Sequence, residues 1–467
     1  MKRHFLSLAL AMLVACSMAQ DVAGTWNGML KVSGMQIRLI FHVTKTDNGY
    51  QATMDSPDQG AKGIPMTSAT FENNELKLEM SAAKISYSGK LVSADSIEGT
   101  FSQAGMPIKL NLTQKAIAKP ITKKPQEPSL PYPYNSEEIT FTNRKANITL
   151  AGTLTYPKRE GKFPVVVLIT GSGPQNRDEE LMGHKPFLVL ADHLTRQGIG
   201  VLRFDDRGMF GSKGVFKTAT TVDFATDVEA AVEYLKTRKE TDLAHIGLIG
   251  HSEGGVIAPI VASRNADINY IIMMAGTGVS GMDLLLMQAE AISKASGVSE
   301  NDIQKTNEIN RGAYQLVLTV SDTTQLKSEL KSYATKTFNQ LPKNDGTKNM
   351  TEEAYTSMLV EFIASPWMIN FIKYNPANAL AKVKCSVLAI NGEKDLQVPS
   401  KVNLPAIEKA LKEGGNAKYK TIEIKGVNHL FQECKTGLPA EYPEIEQTIS
   451  PKALKVMSDW IKETVKE

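Results

Sequence analysis

The chain has 467 residues, of which 42% are hydrophobic and 22% are charged, and its formal net charge is +3. This length exceeds what one ordinary hydrophobic core serves, so two or three domains are expected. The composition is that of a globular protein, and so small a net charge gives no electrostatic basis for binding nucleic acid. A small molecule or a neutral polymer is therefore the expected partner.

The first residues, MKRHFLSLALAMLVACSMAQ, predict a secretory signal peptide over residues 1–19. A basic start precedes an apolar core from Phe5 to Ala15, which is too short to cross a membrane. Two processing routes stay open: a lipobox-like LVAC that would lipidate Cys16, and a small-x-small site that would be cut after Ala19. Both predict an exported protein that is periplasmic, extracellular or lipid-anchored in the cell envelope.

A small all-β domain is predicted over residues 21–115, where alternating segments such as NELKLEM and PIKLNL are separated by turn residues. Its aromatic residues Trp26, Phe41 and Tyr50 are expected to form either the core or a binding face. Residues 116–136 are rich in proline and lysine. That composition predicts a stiff, extended linker.

Beyond this linker, apolar strands alternate with helical segments, which indicates a parallel sheet covered by helices over residues 137–467. Examples are the strands PVVVLITG, GVLRFD and HIGLIG and the helix TDVEAAVEYLKTR. Amphipathic helical segments dominate residues 283–380, so a helical insertion is predicted there, in the position of a lid. Two cysteines lie in this domain, Cys385 and Cys434. A disulfide and two buried free thiols both stay open.

The stretch Gly250-His251-Ser252-Glu253-Gly254 matches the G-x-S-x-G nucleophile elbow, and it has a predicted strand before it and a helix after it. Such a turn presents the serine hydroxyl at the end of the sheet, while glycines let the strand and the helix approach closely. The competing interpretation is a glycine-rich turn without chemistry. Ser252 is therefore the predicted nucleophile.

A serine nucleophile needs a base, and that base needs an acid to orient it. In the elbow architecture the chain order is Ser, acid, His. Only one of the seven histidines, His429, follows Ser252. Asp395, a few residues beyond the predicted strand VLAING, is the predicted acid, with Glu393 and Asp345 as rivals. The competing interpretation of His429 is a surface or core imidazole.

The oxyanion formed in acyl transfer needs two backbone donors. One is predicted at Glu253, directly after the nucleophile, and the other at Ser172 or Gly173 in the loop LITGSGPQNRD. The last two residues of this segment, Arg177 and Asp178, are expected either to pin the loop by an ion pair or to form a solvated surface pair.

Two further patterns are interpreted as structural or as coincidence. In RFDDRG, Asp206 and Arg207 are expected to fix the loop near the elbow rather than to serve acid-base or metal chemistry. Residues 276–281, GTGVSG, match G-x-G-x-x-G in form, but Glu300 follows a helix with no strand between, so nucleotide binding is not expected. With no zinc or phosphate-binding motif in the chain, neither a metal nor another cofactor is expected.

Taken together, the motifs LITGSGPQNRDEE, RFDDRG, IGLIGHSEGG, INGEKDLQVP and GVNHLF resemble the α/β-hydrolase superfamily. More narrowly, the chain resembles secreted bacterial serine esterases in which an N-terminal β-domain precedes the hydrolase. The resemblance implies ester hydrolysis through an acyl-enzyme, without a cofactor. One departure is Thr170, which stands where the lipase motif HGGG has its histidine.

The expected function is therefore that of a carboxylesterase acting on short or medium acyl esters, either small molecules or glycan-linked esters. One alternative is a serine peptidase of the prolyl-oligopeptidase-like type, although about 95 residues are too few for its β-propeller. The other is a glycan- or cell-wall-binding protein on a hydrolase scaffold. Leu285, Trp367 and Phe371 are expected to line an acyl pocket or to belong to the core of the insertion. The oligomeric state stays open.

Overall fold

The computed structural model describes residues 21–32, 35–59, 61–103, 106–118, 123–158, 160–343, 347 and 350–466. The predicted signal peptide with Cys16, and the rival acid Asp345, lie outside the described residues. The chain divides into two compact units, one of Met1–Leu30 and Ile37–Ala118 and the other of Lys31–Gln36 and Lys119–Glu467. Within the ranges given above, no helix has the length and apolarity needed to span a membrane.

The described part of the first unit is built from antiparallel strands. They are β1 (Gly24–Val32), β2 (Met35–Thr46), β3 (Gly49–Ser56), β4 (Ala61–Pro65), β5 (Ser68–Glu72), β6 (Glu75–Met80), β7 (Ile85–Ser93), β8 (Ser96–Gln103), β9 (Met106–Lys109) and β10 (Leu112–Thr113). Because β10 pairs with both β1 and β8, the sheet closes into a barrel. Trp26 and Phe41 are fully buried in its core, whereas Tyr50 is half-buried and donates its hydroxyl proton to Asp21.

The second unit contains an eight-stranded sheet. Its strands lie in the order β11-β12-β14-β13-β15-β16-β17-β18, and β12 runs antiparallel to the other seven strands of this sheet. Their bounds are β11 (Asn135–Asn143), β12 (Ile148–Tyr156), β13 (Phe163–Ile169), β14 (Gly200–Phe204), β15 (Thr241–His251), β16 (Ile268–Met274), β17 (Ser386–Gly392) and β18 (Tyr419–Ile424).

Helices cover both faces of this sheet. The helices described in this unit, including those of the insertion, are α1 (Pro186–Arg196), α2 (Thr221–Lys236), α3 (Glu253–Ala262), α4 (Gly281–Ala295), α5 (Glu300–Thr319), α6 (Thr323–Thr337), α7 (Glu352–Ile363), α8 (Pro366–Lys373), α9 (Ala377–Leu380), α10 (Ser400–Glu413) and α11 (Pro451–Thr464). Successive residues of a strand point to opposite faces. Accordingly, Val165 and Val167 of β13 pack in the core beneath α2, α3 and α10, while Val166 and Leu168 pack in the core beneath α1 and α11.

Helices α4 to α9 lie between β16 and β17, where the insertion was expected, and α4 to α8 share a hydrophobic core of their own. Side chains cap the N-termini of several of these helices: Ser299 caps α5, Asp322 caps α6, Thr351 caps α7 and Ser365 caps α8. A mostly parallel sheet with helices on both faces and this insertion is the α/β-hydrolase fold, preceded by an all-β domain. The predicted fold class is thereby confirmed.

The predicted linker differs from a free extended segment in its described part, residues 123–136. The Lys124 ammonium donates to the carbonyls of Pro443 (3.2 Å) and Ile445 (2.8 Å), and Gln126 donates to the carbonyl of Ile449 at 2.8 Å. The segment is therefore docked by hydrogen bonds. Its lack of apolar residues did not prevent this, because these main-chain carbonyls accept hydrogen bonds from its side chains.

Candidate active site

The elbow is the sharp turn between β15 and α3. Ser252 has a φ of 53°, a left-handed backbone conformation that costs free energy in any residue other than glycine and that clusters at functional sites. A Cβ on Gly250 would lie 1.9 Å from the carbonyl oxygen of Gly254, and one on Gly254 would lie 2.1 Å from that of Ile169. Because neither position has room for a side chain, both glycines of the motif are required by packing.

The predicted acid and base meet at the carboxyl ends of the neighbouring strands β17 and β18. His429 Nδ1 lies 2.8 Å from Asp395 Oδ2, and both side chains are buried. Asp395 Oδ1 accepts hydrogen bonds from the backbone N–H groups of Gln397 and Val398, each at 2.8 Å. A carboxylate acceptor at Nδ1 places the ring proton there, which leaves His429 Nε2 as the basic nitrogen. In the described parts of the chain, no hydrogen bond joins this nitrogen to Ser252 Oγ.

The rival acid Glu393 does not contact His429. Its carboxylate accepts a hydrogen bond from the N–H of Gly426 at 2.9 Å. The predicted disulfide alternative is also resolved, because Cys385 and Cys434 are both free thiols.

The loop after β13 lies directly against the elbow. A Cβ on Gly171 would lie 3.3 Å from the Cβ of Ser252. Of the two alternative oxyanion donors in this loop, Ser172 lines the same cavity as Ser252, whereas Gly173 lines a separate small cavity that also borders Asp206. The structure therefore separates the two alternatives by position.

Asp206 holds this loop by hydrogen bonds, as its predicted structural role requires. Its carboxylate accepts from Thr170 Oγ1 and from the N–H of Gln175, both at 2.8 Å. Burial raises the pKa of Asp206 well above its ordinary value. Its neighbour Arg207 does not contact the loop and pairs at 2.7 Å with Asp227 on α2.

Arg177 and Asp178 each form an ion pair, but not with one another. Arg177 pairs with Asp205 at 2.8 Å, and Asp178 pairs with Arg203. Since Arg203 and Asp205 are both buried and lie at the end of β14, these pairs pin the loop to the sheet. The alternative expectation, a solvated surface pair between Arg177 and Asp178, is therefore wrong.

Sequence reasoning assigned no role to Glu179 and His251, which lie beneath the site. Glu179 Oε1 lies 2.9 Å from His251 Nδ1, and His251 Nε2 lies 3.0 Å from the carbonyl oxygen of His429. Both side chains are almost completely buried. The signal was partly available, because His251 directly precedes the nucleophile, but nothing local connects it with Glu179.

A cavity of ≈ 70 Å³ opens beside Ser252. The three predicted pocket residues all line it, and two of them, Trp367 and Phe371, stack with ring centroids 5.2 Å apart. The remaining lining combines apolar residues with a few uncharged polar ones. Examples are the apolar residues Val256, Leu284 and Val398 and the polar residues Thr277, Gln288 and Gln397.

Glu253 is the one ionisable residue in the lining of this cavity. Its Oε1 accepts hydrogen bonds from Thr221 Oγ1 at 2.6 Å and from Trp367 Nε1 at 2.8 Å. Burial raises the pKa of Glu253, since no cation compensates the charge. Its side chain therefore links the elbow to α8 of the insertion.

No group of three His, Cys, Asp or Glu side chains among the described residues is arranged to hold a metal ion.

Comparison with known proteins identifies one family. The family model described as X-Pro dipeptidyl-peptidase (S15 family) matches residues 147–415. The esterase EstD of Thermotoga maritima is 36% identical over 147 residues, which are 31% of this chain and 33% of EstD. The match thus spans about a third of that relative's length. An uncharacterized 31.7 kDa protein of Escherichia coli from the traX-finO intergenic region is 22% identical over 330 residues, covering 69% of this chain and 99% of that protein.

Two solved structures are similar at lower identity. The Pyrococcus furiosus esterase Pf2001 has 16% identity and a TM-score of 0.42, and the alignment covers 71% of this chain and 91% of that one. Est1E of Butyrivibrio proteoclasticus, solved with bound ferulic acid, has 17% identity and a TM-score of 0.39, with 70% of this chain and 97% of that one covered.

Proposed function

Because the chain belongs to the X-Pro dipeptidyl-peptidase (S15) family and is a serine hydrolase, we propose that it hydrolyses carboxylic esters of short or medium acyl groups through an acyl-enzyme. The observation that carries this choice is the lining of the cavity beside Ser252. Its one ionisable residue, Glu253, already accepts two hydrogen bonds and is buried. A neutral acyl group suits such a cavity, whereas a buried cation without an ionised partner is costly.

In the proposed mechanism, Ser252 Oγ attacks the ester carbonyl carbon while His429 Nε2 takes its proton. Asp395 holds the opposite ring nitrogen and stabilises the imidazolium that forms. His429 then returns the proton to the leaving alkoxide, and the alcohol departs. Water, deprotonated by the same nitrogen, attacks the acyl-enzyme and releases the acid and Ser252.

The oxyanion of both tetrahedral intermediates is proposed to bind between the backbone N–H groups of Glu253 and Ser172. The choice of Ser172 over Gly173 rests on the cavity that it shares with Ser252. Such donors act in a site shielded from water, where a charge-assisted hydrogen bond is strong.

The acyl chain is proposed to lie against Leu285, Trp367 and Phe371, which gives the helical insertion the role of a lid that closes the acyl pocket. The polar residues Gln288 and Gln397, whose side chains lie 3.3 Å apart, are proposed to contact the alcohol or sugar of the leaving group. Their amides can donate and accept at once, so a hydroxyl-rich leaving group is compatible with them.

Removal of X-Pro dipeptides is the second candidate, and the family match is the observation that favours it. A dipeptidyl substrate carries a free α-ammonium group, which needs a carboxylate partner. Glu253 would have to be ionised and to bind this group through Oε2, since Oε1 already accepts from Thr221 and Trp367. Export, with or without lipid attachment at Cys16, is a separate prediction, and mass spectrometry of the mature N-terminus tests it.

The test measures hydrolysis of p-nitrophenyl esters from acetyl to decanoyl beside an X-Pro p-nitroanilide with a free and with a blocked amino group. We expect ester turnover, and a kcat at least about 10³-fold lower in Ser252→Ala. Ser263→Ala, at the far end of α3, is the matched control and should retain activity. Cleavage of the free-amine anilide alone would replace the esterase proposal with the dipeptidyl-peptidase candidate.

A further inference from the structure

A single buried carboxylate oxygen connects three segments of the proposed active site. Glu179 Oε1 accepts the N–H of Gly171 in the oxyanion loop at 2.8 Å and contacts His251 Nδ1 at the end of β15 at 2.9 Å. His251 Nε2 in turn contacts the carbonyl oxygen of His429 in the loop after β18 at 3.0 Å. The elbow, the oxyanion loop and the base loop are thus joined through two side chains.

The hydrogen-bond partners decide how many protons the His251 ring carries. A carbonyl oxygen can only accept, so Nε2 must carry a hydrogen. The other nitrogen faces Glu179 Oε1, which already accepts from Gly171 and acts best as a carboxylate oxygen. A ring with hydrogens on both nitrogens, an imidazolium, satisfies every one of these contacts.

Electrostatics agrees with this proton count. Burial lowers the pKa of His251, but the charge of Glu179, its hydrogen bond and the His429 carbonyl together outweigh burial and raise the pKa above its ordinary value of 6.5. A compensated pair also avoids the cost of a lone buried charge.

We propose that Glu179 and His251 are positioning residues: as a buried carboxylate–imidazolium pair they hold the His429 loop and the Gly171 loop at fixed positions around Ser252. The inference rests on the proposed role of His429 as the base. Neither residue touches the cavity beside Ser252. Their effect therefore reaches the reaction through the geometry of His429 and of the oxyanion loop.

The pair makes the site sensitive to alkaline pH. Because the pKa of His251 is raised on folding, the positioned arrangement is complete below 6.5 and is lost as pH rises through the folded value. A neutral His251 ring carries one hydrogen, so it loses its hydrogen bond either to the His429 carbonyl or to Glu179. The other titratable groups around the His251 ring are Asp395 and His429, whose ring centroid lies 4.9 Å from that of His251. Tyr442 and Cys434 lie farther out, around Asp395. Burial raises the pKa of both Tyr442 and Cys434, which moves their titration to higher pH.

The first experiment compares Glu179→Gln and His251→Gln with His245→Gln. The control removes an imidazole on the same strand that is paired with Asp242 at 2.8 Å, away from the site. The readouts are the pH profiles of kcat for a p-nitrophenyl ester and of the rate at which a fluorophosphonate, an ester-independent reagent, labels Ser252. For Glu179→Gln we expect kcat to fall about tenfold or more, with KM within about twofold.

The shape of the profile separates positioning from general destabilisation. In Glu179→Gln the decrease of kcat on the alkaline side of the profile should occur at lower pH, because the charge that raises the pKa of His251 is gone. In His251→Gln that fall should disappear while kcat is lower throughout, and His245→Gln should follow the wild type. A wild-type profile in both site variants would overturn the proposal.

The second measurement needs no active-site variant to fold. In wild-type protein with isotope-labelled histidine, NMR counts the ring hydrogens of His251 at about pH 6, below the ordinary pKa of 6.5. Each histidine other than His251 and His429 is replaced singly to assign its resonance. The His429 resonance is assigned by its change when the fluorophosphonate labels Ser252, which leaves His251. Two ring hydrogens are expected, and one would overturn the pair as proposed. If the wild type is labelled by the fluorophosphonate but hydrolyses no ester, the esterase proposal fails. The pH profile of labelling and the number of ring hydrogens on His251 still decide whether Glu179 and His251 are positioning residues.

Discussion

The cavity beside Ser252 has two sides that are built differently. On the sheet side, Ser252, Asp395 and His429 follow strand ends, and buried hydrogen bonds hold the proposed acid and base in one orientation. On the insertion side, stacked rings and aliphatic side chains of α4 and α8 form most of the surface. A hydrogen bond is lost when one of its atoms moves by about an ångström. The free energy of apolar contact, by contrast, changes gradually with the area buried.

Among the described residues that line the cavity, two hydrogen bonds cross from one side to the other. Trp367 donates to Glu253 on the elbow helix, and Gln288 donates to Gln397 next to the acid loop. The difference between the two sides teaches where substitutions should matter: changes on the sheet side should abolish chemistry, and changes on the insertion side should alter which ester is preferred.

The largest effect expected here is that of Asp395→Asn. The amide keeps the shape of the acid but no longer holds the neutral His429 ring with its hydrogen on Nδ1. We expect kcat to fall by about 10⁴-fold with little change in KM. Steady-state kinetics on the preferred p-nitrophenyl ester measures it.

The matched control is Glu393→Gln, two residues away in the same loop. Its carboxylate contacts Gly426 and not His429, so kcat should remain near the wild-type value. If Glu393→Gln were the more damaging of the two, the assignment of the acid to Asp395 would be wrong.

Acid pH should loosen the sheet side without any substitution. His184 is completely buried and contacts Thr448 and the carbonyl of Tyr442. Burial, reinforced by the charge of Lys124, lowers its pKa to about 4. Because the folded value lies below that of the unfolded chain, its stabilising contribution is complete above 6.5 and is lost as pH falls toward about 4.

The full loss amounts to at most about 3 kcal/mol in the free energy of unfolding. Urea unfolding between pH 7.5 and pH 4.5 measures it. In His184→Gln the free energy of unfolding should depend less on pH in this range. In His245→Gln, where the replaced ring is partly exposed, the wild-type dependence should remain. Equal slopes in all three proteins would assign the acid sensitivity to other groups.

The smallest effects should come from the insertion side. Trp367→Ala removes the indole that stacks on Phe371 and should shift the preferred acyl chain toward longer esters, with kcat/KM for a given ester changing by about tenfold or less. Trp367→Phe keeps an aromatic ring and removes only the bond to Glu253, so a smaller shift is expected. The p-nitrophenyl series measures both.

Phe362→Ala is the control for this side, since Phe362 lies on α7 and is 55% exposed. It should leave the acyl preference unchanged. An unchanged preference in Trp367→Ala as well would remove Trp367 from the acyl pocket and leave it as part of the core of the insertion.

The features found from sequence are those encoded within short segments or by chain order. The elbow around Ser252 is a five-residue pattern between a strand and a helix, and the order of residues along the chain singled out His429. Parallel strands bring their carboxyl ends to one edge, which is why Asp395 and His429, 34 positions apart, meet. The position of Ser172 relative to Gly173 could not be settled this way, because it depends on the path of one loop.

The sequence by itself determined the α/β-hydrolase fold, the strained turn at Ser252 and the helical character of the insertion, since hydrophobic period and glycine spacing are local properties. Only the tertiary structure decided that Glu179 and His251, 72 positions apart, share a buried hydrogen bond, and that Trp367 reaches Glu253 across 114 positions. Contacts of this kind depend on how loops and helices are placed in space, and no local pattern of residues records that placement.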